Sequence, residues 1–345
     1  MHKVQIAAPG GYDRLKVITS PDLQPGPGQV RIAVNAAGVN YADCVARMGL
    51  YASAKKYEGW PLTPGFEVAG TVDALGPNVT DLALGERVIG LVRFGGYASQ
   101  VVAPRAQLLP FPQAWSDAEA AGFAVAFFTA WFGLEHLARV RPGEAVLVHS
   151  AAGGVGQALV QLAKANGAKV FGVVRGSHKL EPLQALGCDG LCDKATTDWV
   201  KAAQVFAPGG FAVALDANGV ETLGDSYRLL APAGRLVVYG FATMLQRGGQ
   251  GRPNWLRLAW SWLRTPRFNP LDLTTQNKSV LAFNLSFLFD RADLLAEAVE
   301  RLWPLAASGQ LRPLPTRSYG LADVAEAHRA LESGQTAGKL VLAMR

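Results

Sequence analysis

The chain has 345 residues, half of them hydrophobic and only 17% charged, which excludes a disordered protein and suffices for two cores of ordinary size. Its formal charge of +6 is scattered and accompanies no nucleic-acid-binding motif, so it suits an anionic small molecule and no nucleic acid is expected as a partner. The N-terminus lacks a signal-peptide pattern, no 18 consecutive apolar residues occur, and Cys44, Cys188 and Cys192 make neither a disulfide framework nor a CxxC pair. A cytoplasmic, reducing location is the expectation, with the thiols acting as small buried hydrophobes.

From residue 28 to about 110, short β-branched runs broken by Gly and Pro (QVRIAVNAAGV, EVAGTVDALG, GERVIGLV, GGYASQVVAP) predict a compact β unit. Near Ala118 the texture changes to AEAAGFAVAFFTAWFGLEHLA, a helical stretch too short and too interrupted by charge for a membrane span. Strands and helices then alternate from EAVLVHS to RLVVYG. That rhythm predicts right-handed βαβ units and a doubly wound parallel sheet, so the fold class is α/β with a Rossmann unit in mid-chain. The segment Thr243 to Gln276 breaks the rhythm, and two helical stretches lead to a final strand, GKLVLAM. A lone last strand must pair somewhere, so the tail is expected to return to the first β unit.

The sharpest local signal is VLVHSAAGGVGQALVQLA, where an apolar strand meets Ala151, Gly153 and Gly156 and then opens a helix. This is GxGxxG with Ala151 in the first glycine's place. Gly153 lets the backbone approach a pyrophosphate, Gly156 lets helix and strand pack closely, and the helix N-terminus offers N–H groups to the negative charge. Outside this strand-to-helix context the same glycines would be an ordinary tight turn. At the end of the next strand, KVFGVV, an NAD site usually carries an acid, but here stand Arg175, Ser177 and Lys179. The two cations can pair with a 2′-phosphate and Ser177 can donate to it, which favours NADPH; the alternative is a set of solvated loop charges.

The residues 36–51 (AAGVNYADCVARMGLY), 64–72 (PGFEVAGTV), 85–90 (GERVIG), 95–102 (GGYASQVV), 127–131 (FFTAW), 149–156 (HSAAGGVG) and 338–342 (GKLVL) together resemble the zinc-free quinone oxidoreductases of the medium-chain dehydrogenase/reductase superfamily. Within that family the extended segment after YGFAT and the run NKSVLAFNLSFLF (277–289) resemble the branch of vesicle amine transport protein homologues. The resemblance implies a GroES-like β domain from residues 1–121 and 287–345, around a Rossmann domain at 122–286 that carries an insert at about 243–276. Zinc-bearing relatives place a cysteine where this chain has Asn40 and a histidine where it has Phe66, and the five histidines show no ligand spacing, so no metal is expected.

Carried over residue by residue, the resemblance puts Asn40 and Tyr51 beside the nicotinamide as the catalytic candidates, with Thr129 orienting it. Gly153, Gly154, Val155 and Gly156 hold the pyrophosphate, and Arg175, Ser177, Lys179 and Lys194 the adenosine phosphate. Backbone around Gly240, Phe241, Ala242, Phe283, Asn284 and Leu285 closes the nicotinamide end. The implied reaction is hydride transfer from NADPH to a quinone or an α,β-unsaturated carbonyl, by a homodimer. Tyr51 or water donates the proton, or Tyr51 walls the pocket.

The insert holds Trp255, Trp260 and Trp262 with Arg247, Arg252, Arg257, Arg264 and Arg267, and no acid between Thr243 and Leu271. It is expected to fold over or beside the cleft mouth and lend apolar surface to the acceptor. The other readings are a partner contact, a peripheral contact with an anionic membrane, or a surface helix packing its tryptophans on the Rossmann domain. Two functional alternatives stand beside the quinone reductase: a dedicated enone or alkenal reductase, and an NADPH-binding membrane- or partner-associated protein with little catalysis.

Overall fold

The computed structural model describes residues 1–245 and 251–344. The predicted alternation from residue 145 onward forms a six-stranded parallel sheet in the order Gly190–Asp193, Lys169–Val174, Ala145–His149, Phe211–Asp216, Leu230–Val238, Ser279–Ala282. In chain order that is 3-2-1-4-5-6, the doubly wound arrangement whose switch point lies between the first and fourth strands. The strands are apolar because both faces are covered: Val146, Leu147, Val148, Val213, Ala214 and Leu215 are all buried.

The β unit is a seven-stranded sheet, and both ends of the chain build it. Its core strand, Gln29–Val39, alternates buried Val30, Ile32 and Val34 with half-exposed neighbours, the period-two pattern of a strand with one covered face. The closing strand Lys339–Ala343 pairs antiparallel with Ala36–Val39, so the tail does return to the first unit. Cys44 and Cys192 are buried, Cys188 half-buried, and all three are free.

The apolar stretch after Ser116 becomes the helices Asp117–Ala121 and Ala124–Trp131, continued by one π-helical turn at Phe132–Leu137. Ser116 caps its start by accepting from the Glu119 N–H while Glu119 reaches back, a capping box. Phe123, Phe127 and Leu134 are fully buried in a core shared with residues of both sheets. The helix Ala292–Ala307 packs Ala298, Leu302 and Ala306 into this same core. A joint core of this kind holds the two sheets at a fixed separation and leaves one cleft between them.

Candidate active site

That cleft has a volume of about 960 Å³. Asn40, Tyr51, Thr129, Gly153, Gly154, Val155, Gly156, Arg175, Lys179, Lys194, Gly240, Phe241, Ala242, Phe283, Asn284 and Leu285 all line it. Ser177 does not: it is exposed at the start of the 3₁₀ turn Ser177–Lys179 and is not on the cleft wall.

The glycine-rich turn starts the 12-residue helix Gly154–Ala165, whose first N–H groups have no acceptor within the helix and lie at the cleft wall, where an anion would be favoured. A Cβ on Gly156 would lie 2.3 Å from the Ser150 carbonyl oxygen and 2.6 Å from that of Ala151, so close helix–strand packing requires glycine there. At Gly153 the nearest atom to a Cβ would be 3.4 Å away, which leaves that backbone open to the cleft. The left-handed residue of the turn is Ser150, at φ 51°, and not Ala151. Alanine is tolerated in the first glycine's place because the strained backbone falls one residue earlier.

At the end of the second parallel strand, Arg175 is exposed. Lys179 is buried, and its ammonium donates to the Gly334 carbonyl at 2.6 Å, so it ties this loop to the helix Val324–Ser333 as well as facing the cleft. The sequence reading found no acid here, yet Asp193, from the neighbouring strand, accepts from the Gly176 and Ala195 N–H groups at 2.9 Å each. Those two backbone bonds, with Arg175 close by, lower its pKa. Its Oδ1 is thereby engaged in shaping the loop.

Behind Asn40 stand two residues that the sequence analysis does not single out, Glu67 and Lys339. Asn40 caps the helix Tyr41–Arg47, and its side chain is gripped on both sides: Lys339 donates to Oδ1 at 2.6 Å, and Nδ2 donates to Glu67 at 3.1 Å. Lys339 and Glu67 form an ion pair at 2.6 Å with both side chains buried, and Glu67 also accepts from the Val125 N–H at 2.7 Å. Asn40 is therefore part of a closed charged network and not a free donor. The signal for it is legible in principle, since a Glu and a Lys stand at the heads of two strands whose next residues are apolar, and a buried charge must be paired.

Two tyrosines cross from the helix-and-loop side to the parallel-sheet side. Tyr51 donates to Asn284 Oδ1 at 2.9 Å, and Tyr41 donates to the Ala242 carbonyl at 3.2 Å. Burial raises the Tyr51 pKa, so it stays a neutral phenol at physiological pH. Thr129 turns its hydroxyl back onto the Val125 carbonyl at 2.6 Å and leaves its oxygen lone pairs as acceptors.

At the switch point, His149 and Asp216 end the first and fourth strands. Ser226 Oγ donates to Asp216 at 3.1 Å and lies 2.8 Å from His149 Nε2, which assigns the proton to Nε2 and leaves Nδ1 as a buried acceptor without a partner. Burial pulls the His149 pKa down from 6.5 to about 4, opposed by the Asp216 charge. A base with a lowered folded-state pKa stabilises the fold fully above pH 6.5, and that contribution is lost as pH falls through about 4. The stability advantage of wild type over His149→Gln is expected to shrink by roughly 3 kcal/mol between pH 7 and pH 4. Urea titrations at the two pH values measure it, and an unchanged difference would mean that His149 does not titrate between the folded and unfolded states.

Cys44, His328 and Glu332 bring three ligand-type atoms within 4.8 Å of one another, all buried, a cluster the histidine spacing did not reveal. Arg47 fills it, at 2.8 Å from Glu332 and 3.0 Å from His328 Nδ1, while stacking on Tyr12. The Arg47 guanidinium is thus the partner of Glu332 and His328 within this cluster.

The Trp255, Trp260 and Trp262 side chains do not line the cleft: they are 67%, 62% and 65% exposed. In the helix Trp255–Arg264, Leu258 faces the cleft and Ser261 is buried, while Trp255, Trp260 and Trp262 are turned to solvent. Arg247 lies outside the described residues.

A doubly wound sheet with a glycine-rich strand-to-helix turn, facing a sheet built from both chain ends, has the architecture of a dinucleotide-type oxidoreductase. Residues 26–113 match the alcohol dehydrogenase GroES-like domain and residues 186–342 the zinc-binding dehydrogenase family. The synaptic vesicle membrane protein VAT-1 homolog of Rattus norvegicus is 36% identical over 336 residues, covering 96% of this chain and 81% of that protein. Among solved structures, the CurK enoyl reductase superposes with a TM-score of 0.86 at 29% identity over 100% of this chain and 99% of its own. The Thermus thermophilus quinone oxidoreductase, solved also with NADPH, gives 0.81 at 32% identity over 100% of both chains. The chain belongs to the quinone oxidoreductase family of the medium-chain dehydrogenase/reductase superfamily, in the branch of the VAT-1 homologues.

Proposed function

We propose that this protein is an NADPH-dependent, zinc-independent reductase that transfers hydride to a quinone or an α,β-unsaturated carbonyl. The observation that carries the reading is the cleft itself, which brings the glycine-rich turn, Arg175 and the Asn40–Lys339–Glu67 network to one wall system. The turn fits a pyrophosphate, because Gly153 is open where Gly156 is closed. A bound nicotinamide supplies the hydride, and the acceptor takes up one proton to become a hydroquinone or a saturated carbonyl.

The chain's own residues position and polarise. Lys339, itself neutralised by Glu67, fixes the Asn40 amide and so orients it at the cleft wall. Tyr51 holds a neutral phenol at the cleft wall, in reach of Asn284, where it can pass its proton to an oxyanion. Zinc does not fit: Asn40 and Phe66 stand at the positions of two ligands, and an ion beside Asn40 would meet the Lys339 ammonium. A homodimer is part of the proposal, as the family resemblance implies.

The enoyl reductase likeness favours an enone acceptor as the second reading. NADPH oxidation measured against a panel of quinones and enones separates the two, with chelator present throughout and no loss of rate expected from it. Arg175→Ser should weaken NADPH by about ten- to a hundredfold and leave NADH nearly unchanged, since an exposed charge-assisted phosphate contact is worth about 1–3 kcal/mol. Equal loss for both cofactors by calorimetry, or a rate abolished by the chelator, would overturn the reading.

A further inference from the structure

Beside the cleft lies a second, smaller hollow of about 50 Å³. The helix Ala124–Trp131 and the π-helical turn after it give Phe128, Trp131 and Phe132 to one wall, and the helix Ala292–Ala307 gives Leu294, Leu295 and Ala298 to another. The hollow has a cause in the sequence. Leu294, Ala298 and Leu302 follow one another at four-residue spacing on one face of their helix, and Ala298 puts a methyl group where its neighbours put isobutyl groups. Unfilled space between close-packed helices costs stability, and a leucine at this position would fill it. Val125, Leu285 and Phe289 belong to the walls of both the hollow and the cleft, and all three are half-buried, so the two spaces meet at these side chains. Gln107 and Arg291 are the polar residues of the described lining, and the Arg291 guanidinium is already bound to Asp293.

We propose that this hollow is the subsite for a short unbranched alkyl tail on the acceptor. Resting on the reductase reading above, this makes the substrate an open-chain α,β-unsaturated ketone or aldehyde with several carbons beyond its enone. Size and chemistry decide the occupant. An apolar cavity that gives water no partners stays dry and favours an apolar guest, and an aromatic ring needs about 150 Å³. A space of about 50 Å³ admits the end of a chain instead, roughly two water-sized groups in length. A charged tail end would lose its hydration among these aromatic and aliphatic walls. The reacting part of the acceptor stays in the cleft. There NADPH gives a hydride to the β-carbon and becomes NADP⁺, the electron pair of the double bond moves onto the carbonyl oxygen, and a proton taken up at the α-carbon leaves the saturated carbonyl.

The test is NADPH oxidation by the full-length protein against a homologous series of 1-alken-3-ones, with the tail on the carbonyl, and one of 2-alkenals, with the tail on the β-carbon. In the series whose tail enters the hollow, kcat/KM is expected to rise about fourfold per added methylene over about two or three carbons and then level off. Ala298→Leu should fill the hollow, keep the thermal midpoint at or above that of wild type and remove the rise. Leu295→Ala should enlarge the hollow and carry the rise on by about two further carbons, a shift that a merely weakened fold does not produce. Calorimetric binding of saturated alkan-2-ones in the presence of NADP⁺ follows the tail without the chemistry, and it should show the same dependence on chain length in each of the three proteins. Enone reduction that is indifferent to chain length, or a dependence that neither variant alters, overturns the subsite. Chain-dependent binding without turnover of any enone or quinone would leave the subsite intact and sink the reductase reading instead.

Discussion

Lys339→Met is expected to lower the unfolding free energy by about 3–5 kcal/mol, because it strands the buried Glu67 carboxylate without its cation. Glu67 would keep only the Val125 N–H and the Asn40 amide, two donors without a countercharge. Lys339→Met/Glu67→Gln removes both charges and should regain most of that stability. Activity should not return with it. Asn40 loses the donor that fixes its oxygen, and a misplacement of about 1 Å at a reacting centre is worth about a hundredfold in rate. Chemical denaturation and steady-state kinetics on the single and double variants give both numbers. A double variant as unstable as the single one would show that the ion pair is not what Lys339 contributes, and a double variant of wild-type rate would remove the network from the mechanism.

The second large effect is expected at the glycine-rich turn, where two neighbouring glycines should fail in different ways. Gly156→Ala forces a methyl to 2.3 Å from one backbone carbonyl and 2.6 Å from the next, and neither can move without dragging the strand end that carries His149. Stability should fall by about 1–3 kcal/mol, as overpacking does, and NADPH affinity by about a hundredfold as the turn shifts. Gly153→Ala meets nothing nearer than 3.4 Å in the protein, so its fold should be intact. Its methyl instead occupies the approach of the pyrophosphate, and cofactor affinity should fall by about tenfold or more with no change in unfolding. Calorimetric titration paired with thermal unfolding distinguishes the two. Loss of stability in both variants, or in neither, would mean that the division of labour between these glycines is wrong.

The sequence by itself determined the secondary structure around the site, because each signal there is local. The strand-to-helix break at residues 149–156, the capping residues and the alternation of the strands are all set by neighbours within a few residues in the chain. The pairing of the last strand with the first unit was also legible, because an apolar strand without a partner cannot remain unpaired. What only the tertiary structure decided are contacts over hundreds of residues. Lys339 reaches Asn40 across 299 positions, Tyr51 reaches Asn284 across 233, and Lys179 reaches Gly334 across 155. Periodicity cannot rank such pairings, since it says which face of an element is buried and not what lies opposite. The tryptophan helix makes the same point from the other side: composition showed a basic, aromatic, acid-free segment, but whether its tryptophans met the cleft or the solvent depended on its rotation about its own axis. That rotation turns Leu258 and Ser261 inward, and it depends on how those two side chains fit the surface beneath the helix as well as on the helix's own sequence.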